Sequence, residues 1–196
     1  MSEHPRQQLA PLPRSAEFAL ISTAVLLAPD ENWASHLVQM VTDALNDPDE
    51  FKQEHRNWLD ERPCTPLELA REALIVSLGG GMWGREAYLA ACDHKDGAVD
   101  VFDRLRYVSR NWKNPLDLDP TSLGFSEPAE VDGDSYVREA AGRCYAVGLA
   151  LFRLWRGDSY DLGFVRADRS ALLLIDAAAA GFTYEADHFF EIVKHR

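Results

Sequence analysis

The chain is poor in the residues that most catalytic and metal-binding folds depend on. Its three cysteines, Cys64, Cys92 and Cys144, are an odd number with no CxxC spacing. That argues against a disulfide framework and a conventional zinc site, and it suits a reducing compartment. No HxxxH or HExxH sets two imidazoles on one helical face, so no metal is expected. No GxSxG offers a nucleophile elbow. The glycine-rich GGGMWG follows a helical stretch and lacks the GxxxxGK[ST] pattern, so no phosphate cradle and no cofactor are expected. Bases are scarce as well: 20 Lys and Arg stand against 32 Asp and Glu, a formal charge of −12. Nucleic-acid binding needs clustered cations to neutralise phosphates and is therefore disfavoured. The one basic-aromatic stretch, Arg104, Arg106, Tyr107, Arg110, Trp112 and Lys113, reads as a helix face balanced by nearby acids.

Long apolar runs are missing too. Phe18 to Ala28, FALISTAVLLA, spans 11 residues, whereas a membrane-crossing helix needs roughly 20. The segment has the length of a signal-peptide apolar region, but Glu17 abuts it and no small-x-small site follows. It reads as a core helix, so the expected location is the cytoplasm, with no membrane partner.

What remains is an ordinary globular composition, 46% apolar and 27% charged over 196 residues, enough to bury a core. Residues 1–15 mix proline, glutamine and charge without period and read as a flexible arm; 16–196 read as a single α+β domain. Asp30 can cap a helix carrying Trp33, Leu37, Met40, Val41 and Leu45. Asp47 and Pro48 start another, with Phe51, Trp58 and Leu59 on one stripe. Thr65-Pro66-Leu67-Glu68 is a capping box, and its helix should stop at Gly79-Gly80-Gly81. A short strand is expected over 86–92 and a helix carrying Val99, Phe102, Leu105 and Val108 after it. A proline-rich loop over 114–134 comes next, then a helix from Tyr136. LALFRLWR and YDLGFV joined by Gly157-Asp158-Ser159 read as a hairpin. Arg169 to Ala180 is apolar nearly all round and should be deeply covered, with a last strand at Phe182-Thr183-Tyr184-Glu185. The order predicts an α+β fold: a helical N-terminal layer and a small, mostly antiparallel sheet covered by helices.

Acid is what the chain has in surplus. Nine carboxylates from Asp30 to Glu61 face only Lys52 and Arg56. Asp117, Asp119, Glu127, Glu130, Asp132 and Asp134 form a second stretch with no base at all. Like charges gathered on one face raise the local potential and speed encounter with a basic body. Aromatic anchors such as Trp83 or Trp155, with Asp158 and Tyr160 at the hairpin, would supply buried contacts that slow dissociation. A second cluster, Cys92-Asp93-His94-Lys95-Asp96, gathers a thiol, an imidazole, an amine and two carboxylates at a strand end. In a strand, Cys92 and His94 would share a face, as a nucleophile and its base require. Glu185, Asp187, His188 and Glu191 read as a charged terminus, with His188 and Glu191 on one face if that tail is helical.

The runs YLAACDHKDGAVDVFDRL and RLWRGDSYDLGFV with ALLLIDAAAAGF resemble a poorly characterised bacterial domain family of unknown function. The resemblance covers the C-terminal half, through its strand, turn and helix and its Asp-Ser-Tyr hairpin. In size and charge alone the chain is also similar to bacterial toxin-immunity proteins. The expectation is a cytoplasmic binding module, an immunity-type inhibitor that occludes a basic toxin domain through its acidic surface. The alternative is a small enzyme or ligand-binding domain centred on Asp93, His94, Lys95, Asp158 and Tyr160.

Overall fold

In the computed structural model, which describes residues 15–57, 59, 64–79, 87–112, 116–186 and 188–195, each N-terminal helix starts at a residue able to cap it. Ser15 accepts from the Phe18 amide ahead of α1 (Ala16–Leu27). Asp30 accepts from Trp33 ahead of α2 (Glu31–Asn46), and Asp47 from Glu50 ahead of α3 (Pro48–Glu54). Thr65 and Glu68 close a capping box on α4 (Pro66–Leu78). Each side-chain acceptor satisfies an amide that the first helical turn leaves without a partner. The expected arm (apart from Ser15), Trp58, Gly80, Gly81 and Trp83 lie outside the described residues.

The rest of the chain builds the sheet and its second cover. Strand β1 (Ala90–Asp93) leads into α5 (Ala98–Asn111). Residues 116–132 follow as a loop with one short 3-10 turn at Pro128–Glu130, then α6 (Gly133–Ala146). Strands β2 (Leu149–Arg156) and β3 (Ser159–Arg166) form the hairpin, closed at Gly157, whose φ of +60° favours a residue without a Cβ. Helix α7 (Ser170–Ala179) and strand β4 (His188–Ile192) end it. All pairings are antiparallel, in the order β1-β3-β2-β4.

Both central strands are buried on both sides, and alternation sorts their residues between two layers. Ala150, Phe152, Leu154 and Val165 face a core shared with α1, α2, α4 and α7. Leu149, Leu151, Leu162 and Phe164 face a second core built by α5 and α6. The fold is thus α+β, with a helical layer on each face of the sheet. Among the described residues no helix is long and apolar enough to cross a membrane.

Four expectations are corrected. The first strand forms at Ala90–Asp93, later than 86–92, because Cys92 and Asp93 pair with Tyr160 and Ser159 at the hairpin end. Helix α6 begins at Gly133, three residues before Tyr136, because Asp132 caps it. The last strand is β4, not residues 182–185. Gly181 turns at φ +89°, Arg71 donates to its carbonyl, and Phe182 is held in the core against Phe190 at 5.0 Å. The chain therefore reaches the edge of β2 only at His188. Helix α7 is not deeply covered: Leu173, Asp176 and Ala177 are buried against α1, while Ile175 is 64% exposed on the outer stripe.

Candidate functional site

The acidic loop is fastened from beneath. Leu118 is buried, and the Tyr136 hydroxyl donates to its carbonyl at 3.0 Å. Arg143 donates to the Ser122 carbonyl at 2.9 Å, and Leu116, Leu123, Phe125 and Val131 pack on the α5 and α6 core. The carboxylates stay outside. Asp119 accepts from the Thr121 hydroxyl and amide, which hold its carboxyl below the usual carboxylate range. Asp132 is held low in the same sense by the Ser135 amide and hydroxyl, both at 2.8 Å. Asp117, Glu127 and Glu130 are exposed, and Asp134 pairs with Arg153. The stretch has no base of its own, but its neighbours bring Arg106 towards Asp119 and Arg138 towards Asp132. The other acidic segment, on α2 and α3, belongs to the layer on the opposite face of the sheet.

At the hairpin end the polar turn after β1 meets the β2–β3 tip. His94 Nδ1 lies 3.3 Å from the Asp158 carbonyl and 3.0 Å from Asp93 Oδ1. The Lys95 amide donates to Asp93, whose carboxyl it holds low, and the Asp93 amide donates to Asp96. Arg104 binds Asp96 with two nitrogens and donates to the Ala91 carbonyl at 2.7 Å. Asp93, His94, Lys95 and Asp158 are thus brought together on exposed surface, while Tyr160 is buried on the α5/α6 face of the sheet. The chain leaves the strand after Asp93, so Cys92 and His94 do not share a strand face, a correction to the expected pairing. Cys92 points into the core, and burial pushes its thiol up to about 12. It carries no thiolate at neutral pH.

Trp155, Tyr160 and Asp134 belong to a cluster that sequence patterns did not assemble. Cys92, Tyr160, Trp155 and Phe189 stand in one cross-strand row, with Leu162, Arg153 and Glu191 in the next. Rings of Trp155 and Phe189 stack at 6.0 Å, Trp155 and Tyr160 meet at 5.2 Å, and Tyr184 leans on Phe189 at 5.5 Å. Arg153, only 8% exposed, lies over Trp155 and Tyr160 at 5.6 and 5.0 Å. It pairs with Asp134 from the first turn of α6, and Glu191 lies 3.9 Å away while accepting from Trp155 Nε1 at 2.9 Å. Its Nε has no hydrogen-bond partner among the described residues. Sequence reading places Arg153 with Trp155 and Tyr160 at a hairpin tip; Glu191 and Phe189 were missed as partner-binding residues because 185–191 looked like a charged tail, and Tyr184 because 182–185 read as the last strand. Read as a strand, the period-2 run of 188–192 places His188 and Glu191 on opposite faces and carries Glu191 and Phe189 to the row beside β2. Trp83 lies outside the described residues.

Other features supply little chemistry. An open cleft of about 650 Å³ between β1 and α5 is lined by Ala91, Arg104 and Tyr107 and adjoins the polar turn only through Arg104. No group of three metal-ligating side chains gathers among the described residues. A family model described as a domain of unknown function (DUF6630) matches residues 19–188, consistent with an uncharacterised domain family and covering more than the C-terminal half. No curated protein and no solved structure matches the chain.

Proposed function

The chain belongs to this family of domains of unknown function, and because membership brings no activity with it, we propose from its own geometry that it is a protein-binding module for a basic partner. The observation that carries this is the pinned acidic loop. Asp117, Glu127, Glu130 and Asp132 are exposed and Asp119 is half-buried; hydrogen bonds from Thr121 and Ser135 hold the Asp119 and Asp132 carboxyls low, on a segment tied down through Leu118 and Tyr136. A surface already ordered loses little conformational freedom on binding, and its charge steers a cationic body towards it. In its specific form the protein is a cytoplasmic immunity-type inhibitor that occludes a toxin domain.

The test is capture from the native host with the wild type and with the triple variant Asp117→Asn, Glu127→Gln, Glu130→Gln. A basic protein is expected, associating roughly tenfold more slowly in about 0.5 M than in about 0.05 M salt, and several-fold more slowly with the variant. Recovery of no basic protein, or salt-insensitive association, overturns the proposal. The alternative, an enzyme or ligand site at Asp93, His94, Lys95, Asp158 and Tyr160, draws support from the contact of His94 with Asp158. At the exposed turn Lys95 and Asp158 meet their neighbours only through a backbone amide and a carbonyl, and Tyr160 lies inside, so the five do not converge on one pocket and the binding module is preferred.

A further inference from the structure

Helix α6 cannot reach over the hairpin end of the sheet. A Cβ on Gly133 would stand 2.6 Å from the Asp96 carbonyl oxygen, and Gly97 bridges to Asp132, so the starts of α5 and α6 are locked against each other. Trp155 and Phe189 are left half-buried, and Tyr184 is 77% exposed beside them. Ring faces carry negative potential. Two half-exposed carboxylates, Asp134 and Glu191, rim the row, and the Trp155 indole N–H fixes Glu191 in place.

The molecule already holds one guanidinium in this setting. Arg153 lies over two of the rings and between the same two carboxylates, one positive charge against two negative. That leaves ring face and a net negative charge on the outer side, at Phe189 and Tyr184. A planar cation stacks on such rings and reaches a carboxylate edgewise, which an ammonium does less well.

We propose that Tyr184, Phe189 and Trp155, rimmed by Glu191, receive an arginine side chain of the basic partner. This rests on the binding-module reading and names its anchoring contact: the acidic loop steers, and the aromatic row grips.

The probe is a triarginine amide, titrated into the full chain while the Trp155 indole N–H is followed by NMR and assigned with Trp155→Phe. A saturable shift is expected, with trilysine weaker and tricitrulline, which lacks the charge, inert. Tyr184→Ala and Glu191→Gln should each weaken binding roughly fivefold. Tyr184 is exposed and glutamine keeps the acceptor for the indole, so an unchanged circular dichroism melt serves as the folding control. An absent shift, equal binding by both variants, or tricitrulline binding alike overturns the inference. Failures are separable. A captured basic partner that both variants hold as tightly as the wild type sinks the arginine contact alone, whereas triarginine binding with no captured partner sinks the binding-module reading alone.

Discussion

Asp161 is a carboxylate set in the middle of a sheet, only 3% exposed, with the Arg156 guanidinium 2.8 Å away. Burial raises its carboxyl above the usual range, and Arg156 and His188 only partly offset this. The folded chain therefore keeps this proton at a pH where the unfolded chain has lost it. Stability falls as pH climbs from the ordinary carboxylate value through the folded one, and the penalty persists above. Asp161→Asn should be at least as stable as the wild type at pH 7, the advantage vanishing by about pH 4 in urea titrations. A variant less stable at pH 7 than at pH 4, relative to wild type, contradicts this. None of it was legible in the sequence, where Asp161 is one of many acids and its facing depends on hairpin register. Caps were legible: Asp30, Asp47, Thr65 and Glu68 act over three residues, and no distant part of the chain is needed to read them.

Helix α7 shows where an element outruns its sequence signal. Its composition asks for burial all round, yet only one stripe meets α1, and Ser22 donates to the buried Asp176 across that seam. Periodicity cannot tell which apolar stripe has a partner when every stripe is apolar. The two sides should answer differently to truncation. Leu173→Ala, at 0% exposure, is expected to cost about 2–4 kcal/mol, and Ile175→Gln to stay within about 0.5 kcal/mol, in chemical denaturation. Similar losses at both positions would mean that the outer stripe is covered in solution. The hairpin was readable because its turn residues and flanking runs adjoin. Strand β4 was not, because its place depends on the chain being held at Gly181 and Phe182 first.

At the scale of the whole molecule, the carboxylates are divided between two layers with a sheet between them. A formal charge of −12 on a chain of 196 residues repels itself in the folded state more than in the expanded one. Added potassium chloride, from about 0.01 M to about 0.5 M, should raise the melting temperature by a few degrees through screening. A fall would mean that the surface ion pairs outweigh the repulsion. The sequence made the size of this surplus plain but not its division, since the two acidic segments lie some 60 residues apart and only the sheet decides which side each takes. The same side chains that shape the hairpin end also finish the border of the sheet. With Arg104 on the Ala91 carbonyl and Asp96 on the Asp93 amide, a stray strand arriving at β1 finds those backbone groups already taken. Two anchoring points for fibril-like stacking are thereby withdrawn from that margin.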